Sequence, residues 1–220
     1  MNHAVHFEQV NADDLTREVS FALPPGALAL LVTSRREESD RLVRLLLGLS
    51  RPQAGRLSVL GEEVGALSEK ALVALRKSLS VVFSSGGLVS NLKVWENLVL
   101  PLEYHFACTP SEIQEKGEAA LRRVGYCGGM MELPGHLSLC QKRQVGLARA
   151  MLSEPRLMIF DAMLDGLQDD EKACLTPAAL EFHREQGGRT SLFITSNPES
   201  VRDIPFDLRV VLKEGALHAE

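Results

Sequence analysis

The sequence predicts an α/β fold around a largely parallel sheet, and three observations support this prediction. Short strand-like runs alternate with helical patterns along the 220 residues. The runs at 80–83, 157–160 and 192–195 are apolar without the alternation of a half-exposed strand, as expected for strands covered on both faces. The composition, 45% hydrophobic and 24% charged, is typical of a globular domain with one sizeable core.

The predicted elements follow in a regular order. Strands are expected at 27–32, 57–60, 80–83, 157–161, 191–196 and 208–212, and helices at 40–49, 69–77, 111–124, 141–152 and 168–185. Pro177 is expected to kink or end the last helix. The helix-rich stretch 84–153 interrupts strand-rich sequence. A single domain is therefore expected, with its core in 1–83 and 154–220 and an inserted helical subdomain.

Composition also restricts the function. The net charge of −5 argues against a nucleic-acid partner. The apolar runs are shorter than the roughly 20 residues of a membrane span, and the first residues lack the pattern of a signal peptide. The four cysteines have no metal-ligand or CxxC spacing, which favours free thiols in a reducing compartment, the cytoplasm.

Segment 33–41 stands between a predicted strand and a predicted helix, where a phosphate-binding loop is expected. Such a loop needs glycines, a lysine for the β- and γ-phosphates and a hydroxyl for Mg²⁺. This segment contains neither glycine nor lysine, and it places Ser39 and Asp40 at the lysine and hydroxyl positions. Its acidic residues would repel a polyanion. We expect neighbouring carboxylates to neutralise the arginines Arg35, Arg36 and Arg41.

Eight landmarks in order resemble the ATPase subunits of ABC transporters, over nearly the whole chain. They include Leu45 to Gly55 after the loop, Leu137-Ser138-Leu139-Cys140-Gln141 at the signature sequence, and Asp161 at the end of the Walker B strand. The resemblance implies a P-loop NTPase-like ABC ATPase fold. Residues 86–88 and 91–105 are most similar to ATPases of the Mla or MCE type, which implies lipid transport.

The same resemblance identifies positions where ATPase chemistry is missing. Ser84 replaces the Q-loop glutamine, Ala162 the catalytic glutamate and Ser196 the switch histidine, so no catalytic residue is expected. Asp161 is kept and is the one residue expected to face Mg²⁺, if Mg²⁺ is bound. The degenerate nucleotide-binding positions are Thr33, Arg36, Glu38, Ser39, Asp40, Arg41, Ser84 and Asp161.

Two further surfaces follow from the resemblance. In the signature loop, Ser138 and Gln141 remain, whereas Leu139 and Cys140 replace glycines that approach a partner subunit's nucleotide. Segment 89–105 stands where the family binds its membrane permease, which implicates Leu92, Val94, Trp95 and Leu98 in docking. The alternative is that Trp95 and its neighbours pack the core of the helical insert.

The leading hypothesis is a catalytically inactive ABC-type subunit of a membrane transport complex, with lipid as the transported class, that docks on a permease and has a structural or regulatory role. It implies an integral-membrane permease as partner, an ABC-type dimer with itself or an intact ATPase, and a location on the inner face of the cell membrane. No cofactor is expected, or Mg-ATP where nucleotide binding survives. The alternatives are a weak but genuine dimeric ATPase and a soluble interaction or sensor module with another ligand at the 35–38 loop.

Overall fold

The computed structural model describes residues 3–12, 15–105 and 108–219. The strands are β1 (Val5–Ala12), β2 (Thr16–Leu23), β3 (Leu28–Val32), β4 (Ala54–Val59), β5 (Glu62–Glu63), β6 (Leu79–Phe83), β7 (Leu157–Asp161), β8 (Thr190–Thr195), β9 (Leu208–Lys213) and β10 (Ala216–Ala219). The α-helices are α1 (Arg36–Leu46), α2 (Glu69–Arg76), α3 (Val94–His105), α4 (Pro110–Arg123), α5 (Leu139–Leu152) and α6 (Asp169–Arg184).

The central sheet has the strand order β10-β9-β3-β8-β7-β6. Neighbouring strands are parallel from β9 to β6, and only β10 pairs antiparallel with β9. Strands β7 and β8 are buried along their whole length, as their continuous apolar runs predict. The predicted α/β class with a mostly parallel core sheet is therefore confirmed.

A second, antiparallel sheet has the order β2-β1-β4-β5. The sequence prediction placed no strand in β1 or β2, although alternate residues of β1 such as Val5 and Phe7 are buried. Register shifts interrupt the pairing of β1 with both of its neighbours. The period-2 signal is broken by these irregularities, which explains why both strands were missed.

The central sheet separates two hydrophobic cores. On one face, Leu30, Met158 and Phe160 pack with the apolar sides of α3, α4, α5 and α6. On the other face, Leu31, Ile159 and Ile194 pack with α1, α2 and the antiparallel sheet. Side chains alternate between the two faces along each strand, so both cores depend on the same strands.

The predicted helices need three corrections. Helix α1 begins at Arg36, four residues earlier than expected, and ends at Leu46. Most of the 33–41 segment therefore belongs to the helix and not to a loop before it. Pro177 does not end α6, which continues to Arg184. Helix α3 was not predicted, since Pro101 lies inside it.

Candidate functional site

Four parallel strands end side by side at one edge of the central sheet. The residues that directly follow β3, β6 and β8 are Thr33, Ser84 and Ser196, and β7 ends at Asp161, followed by Ala162. Ligands of open α/β sheets bind outside the carboxyl ends of such strands. The structure thus brings together the loop, Walker B and switch positions that the sequence singled out.

Asp161 is the centre of this edge. Its side chain is 1% exposed, and its Oδ2 accepts a hydrogen bond of 2.7 Å from Nη2 of Arg36. Among the described residues, its other oxygen, Oδ1, has no hydrogen-bond partner. Burial raises the pKa of Asp161 to about 6, although the Arg36 guanidinium opposes the rise. The carboxylate is therefore held in its charged form mainly by one arginine.

The 33–40 segment satisfies its own polar groups. Oγ1 of Thr33 and Oγ of Ser39 are 2.8 Å apart, and both residues are buried. The carboxylate of Glu38 accepts the backbone N–H of Ser34 at 2.8 Å and lies 3.3 Å from Nη2 of Arg35. The Nε of Arg36 also lies 3.3 Å from a carboxylate oxygen of Asp40. The expected neutralisation of Arg35 and Arg36 by carboxylates is confirmed.

Arg41 is not part of this arrangement. It is exposed, and it lines a separate cavity of about 410 Å³ together with Arg44 and Arg51. Asp13 and Asp14, two acidic residues between β1 and β2 in the sequence, lie outside the described residues. Arg41 therefore does not meet Asp161 as Arg36 does.

The catalytic positions carry no acid or base. Ala162 is 3% exposed, and its N–H donates to the carbonyl of Ile194 at 2.8 Å. It adopts a φ of +48°, which L-residues with a Cβ rarely take. Ser196 is half-buried at the end of β8, and Ser84 presents its carbonyl to Arg143 at 2.6 Å. None of these three side chains can activate a water molecule as a glutamate or histidine would.

Sequence reasoning missed a buried cation beside this edge. Arg143 of α5 is 3% exposed and donates to the carbonyls of Ser84 and Asp165, at 2.6 and 2.7 Å. The Asp165 carboxylate in turn accepts hydrogen bonds from Thr195 and Ser200. This network ties α5 to the segments after β6, β7 and β8. A basic residue next to Lys142 gives no sequence signal of burial.

The signature positions form the beginning of α5. The Ser138 hydroxyl accepts the N–H of Gln141, and the Gln141 side chain accepts the N–H of Ser138, so the two residues form a capping box. Leu139 is 42% exposed, whereas Cys140 is buried. Burial raises the pKa of the Cys140 thiol, with smaller contributions from nearby acidic groups. A buried thiol with a raised pKa is a poor nucleophile.

The expected docking residues lie largely inside the molecule. Val94 and Leu98 are completely buried in the core between the sheet and the helices. The Trp95 ring covers Gly117 of α4 so closely that a Cβ there would lie 2.7 Å from it. Leu92 is half-buried, with its carbonyl bonded to Asn97. The prediction that Val94 and Leu98 contact the permease directly is therefore wrong, because this face of α3 packs the core.

An open groove lies on the outer side of α3 instead. Its volume is about 720 Å³, and it reaches from the end of α2 to the loop before β7. Tyr104 is 75% exposed on one side, and Lys77 and Arg156 are exposed on the other. Arg76 and Arg149 also line it, but their guanidinium groups donate to the carbonyls of Leu47, Gly48 and Gly87. The groove therefore combines apolar Leu100 and Pro101 with exposed cations and with the exposed carboxylate of Glu154.

Within the described ranges, no helix is both long and apolar enough to cross a membrane. The same residues contain no group of three or more histidine, cysteine or acidic side chains that could hold a metal ion. Asp161 is instead paired with the cationic Arg36, which also lies 3.3 Å from Asp40.

The fold and the order of the site positions define an ATP-binding cassette, and the chain belongs to the ABC transporter family. The family's sequence profile, described as ABC transporter, matches residues 41–164. The match runs from the middle of α1 to just past the Walker B strand. It begins after the 33–40 segment, the part of the sequence that departs most from a phosphate loop.

Two curated relatives are similar over most of the chain. A methionine import ATP-binding protein of Rhizobium meliloti (strain 1021) is 31% identical over 195 residues, which is 89% of this chain and 54% of the relative. A probable ribonucleotide transport ATP-binding protein of Mycobacterium leprae (strain TN) is 26% identical over 197 residues, 90% of this chain and 56% of the relative. The chain spans about half the length of these curated relatives.

Solved structures support the same fold. The dimeric structure of the ATP-binding cassette MJ0796, in a post-hydrolysis state with ADP and Pi, superposes with a TM-score of 0.85. The two chains are 19% identical, and the match covers 98% of this chain and 97% of the other. At this identity the comparison concerns the fold alone.

Proposed function

We propose that this chain is an ABC-type subunit of a membrane transport complex that docks on a permease and does not itself turn over ATP. The observation that carries the proposal is the chemistry at the sheet edge. Around Asp161, the positions that supply a lysine, a glutamine, a glutamate and a histidine in the family hold Ser39, Ser84, Ala162 and Ser196. Phosphoryl transfer depends on positioning and charge stabilisation, and these side chains provide neither.

The residues present do not fit Mg-nucleotide, which members of this family bind. Magnesium is held by oxygen ligands and repelled by cations, and here the guanidinium of Arg36 lies 2.7 Å from the Asp161 oxygen. A phosphate at the loop would meet the Glu38 carboxylate, which already accepts the Ser34 N–H. The hydroxyl of Ser39, at the lysine position, does not offset this charge. We therefore propose no cofactor for this chain.

The docking part of the proposal rests on the groove beside α3. Three of its exposed side chains, Tyr104, Lys77 and Arg156, extend away from the core beside the exposed Glu154. Val94 and Leu98, in contrast, pack the core. An exposed aromatic beside apolar and cationic groups suits a helical segment with an apolar stripe and carboxylates. We therefore place the permease contact on the outer face of α3, with Trp95 supporting that helix from within.

The helices of 84–153 form the inserted subdomain on a core of 1–83 and 154–220. The subunit pairs with a second ABC-type subunit at the inner face of the membrane.

Lipid is the transported class that the 86–105 resemblance favours. The relatives named above are described as methionine and ribonucleotide transport proteins. Substrate assays with a reconstituted complex would separate these three classes.

One observation favours a second candidate, a slow ATPase. The Oδ1 atom of Asp161 is buried without a hydrogen-bond partner among the described residues, so it could face a cation. Phosphate release from Mg-ATP by the purified chain separates the two functions, with Asp161→Ala as the control. We expect both proteins to match the protein-free background. Turnover that the Asp161→Ala substitution abolishes would favour the ATPase.

A further inference from the structure

The nucleotide centre, by which we mean Asp161 together with the 33–40 segment, contains a cation of its own. Arg36 is the first residue of α1, and its guanidinium lies between the carboxylates of Asp161 and Asp40. Asp161 is almost fully buried, and a buried carboxylate without a counter-ion is strongly destabilising. Arg36 therefore supplies the positive charge that a bound cation would otherwise have to supply.

The same segment contains an anion of its own. Backbone N–H groups at a helix N-terminus attract anions, and in this chain the Glu38 carboxylate accepts the Ser34 N–H. The Glu38 side chain is only 16% exposed and is also paired with Arg35. An incoming phosphate would have to displace a group that is covalently part of the loop and already in place.

The lysine position is closed as well. Ser39 is 0% exposed, and its hydroxyl is paired with that of Thr33. A lysine introduced there would bring an ammonium charge close to the Arg36 guanidinium without removing Glu38. The loss of the lysine is thus one of three changes that act together, and reversing it alone leaves the other two.

We infer that the nucleotide centre is permanently closed by its own side chains, with Arg36 as the fixed counter-ion of Asp161 and Glu38 as the fixed anion of the loop. The inference rests on the proposed function and extends it, because it states what replaced the ligand. Restoring the lysine alone will not restore nucleotide binding. Replacing Arg36 and Glu38 in addition to introducing the lysine will restore nucleotide binding.

The first test measures Mg-ADP binding by calorimetry for three proteins: the natural chain, Ser39→Lys and the triple variant Arg36→Gly/Glu38→Gly/Ser39→Lys. We expect saturable binding only by the triple variant, at least about tenfold tighter than any binding by Ser39→Lys. Equal binding by Ser39→Lys and the triple variant would overturn the inference and leave the proposed function intact. ATP turnover by the natural chain would overturn the proposed function instead.

A second measurement keeps the inference testable if the triple variant does not fold. Arg36→Met should lower the urea midpoint far more than Arg56→Met, whose ion pair with Glu8 has the same 2.7 Å distance but is exposed. Adding Asp161→Asn to Arg36→Met should recover most of the loss, because the unpaired buried charge is gone. Equal effects of Arg36→Met and Arg56→Met, or no recovery, would contradict the assigned role of Arg36.

Discussion

The nucleotide centre and the groove beside α3 differ in how their side chains are used. At the centre, Arg36, Glu38 and Ser39 are each bonded to another group of the chain. In the groove, Tyr104 and Lys77 extend into solvent. A surface that presents exposed aromatic and cationic groups can still bind a partner, whereas polar groups that satisfy one another no longer need a ligand. This difference is why we assign docking, and not hydrolysis, to the chain.

The largest expected effect comes from returning the glutamate. Ala162→Glu would place a carboxylate at a position that is 3% exposed, directly beside the buried Asp161. Because Arg36 is already paired with Asp161 and Asp40, we expect the free energy of unfolding to fall by about 3–5 kcal/mol. Urea titration measures this loss. Ala162→Gly is the control and should change stability by less than about 1 kcal/mol, since glycine tolerates the φ of +48°.

A stable Ala162→Glu protein with ATP turnover would remove the contrast between the two regions. It would mean that the centre can still accommodate a catalytic group.

The next effect tests whether Trp95 belongs to the core. In Gly117→Ala, the new Cβ would lie 2.7 Å from the Trp95 ring, so either the ring or the packing of α3 on α4 must shift. We expect a loss of about 1–3 kcal/mol and a shift in the fluorescence of Trp95, the single tryptophan of the chain. Gly135→Ala is the matched control, because a Cβ added there would meet no described atom within 4 Å. Unchanged fluorescence and stability in Gly117→Ala would mean that Trp95 does not pack against α4 in the core.

A smaller effect is expected from the groove. Tyr104→Ala should weaken binding to the detergent-purified permease by roughly 1–2 kcal/mol, because it removes an exposed aromatic anchor. Arg156→Glu should weaken binding further at low salt if the partner segment carries carboxylates. Val73→Ala, an exposed apolar residue outside the groove, is the control. Equal affinities of the three variants would place docking elsewhere.

The smallest effect concerns the signature loop. Burial raises the pKa of Cys140, so less of its thiolate is present at pH 8 than for an unperturbed thiol. Its alkylation should therefore be slower than that of the exposed Cys127 and should increase only at higher pH. Mass spectrometry after iodoacetamide treatment measures both rates, and urea should make them similar. Faster labelling of Cys140 than of Cys127 in the folded chain would contradict the burial of the Cys140 thiol.

Much of the frame could be predicted from the sequence. The apolar runs that became β6, β7 and β8 placed Ser84, Asp161 and Ser196 at neighbouring strand ends, since parallel strands share one edge. Strand β1 was missed because its alternation is irregular. The ion pairs of the nucleotide centre were only partly predictable. Carboxylates were expected near Arg36, but a local sequence pattern cannot show that its partner is Asp161, 125 residues away.

For the docking surface, the sequence indicated a segment but not which of its residues face a partner. The resemblance drew attention to the 89–105 segment, but an apolar pattern does not distinguish residues that face the core from residues that face a partner. Asn97 illustrates the point: it is fully buried, and its side chain bonds the backbone of Val89 and Leu92. The outer face, with Tyr104, became visible only from the packing of α3.

The most direct test of the central claim is equilibrium binding of Mg-ATP to the purified chain, measured by calorimetry with Asp161→Ala alongside. A centre closed by Arg36 and Glu38 predicts no saturable binding for either protein up to about 1 mM nucleotide. Saturable binding by the natural chain that is lost in Asp161→Ala would contradict the account, because it would show that the 33–40 segment still accepts a nucleotide.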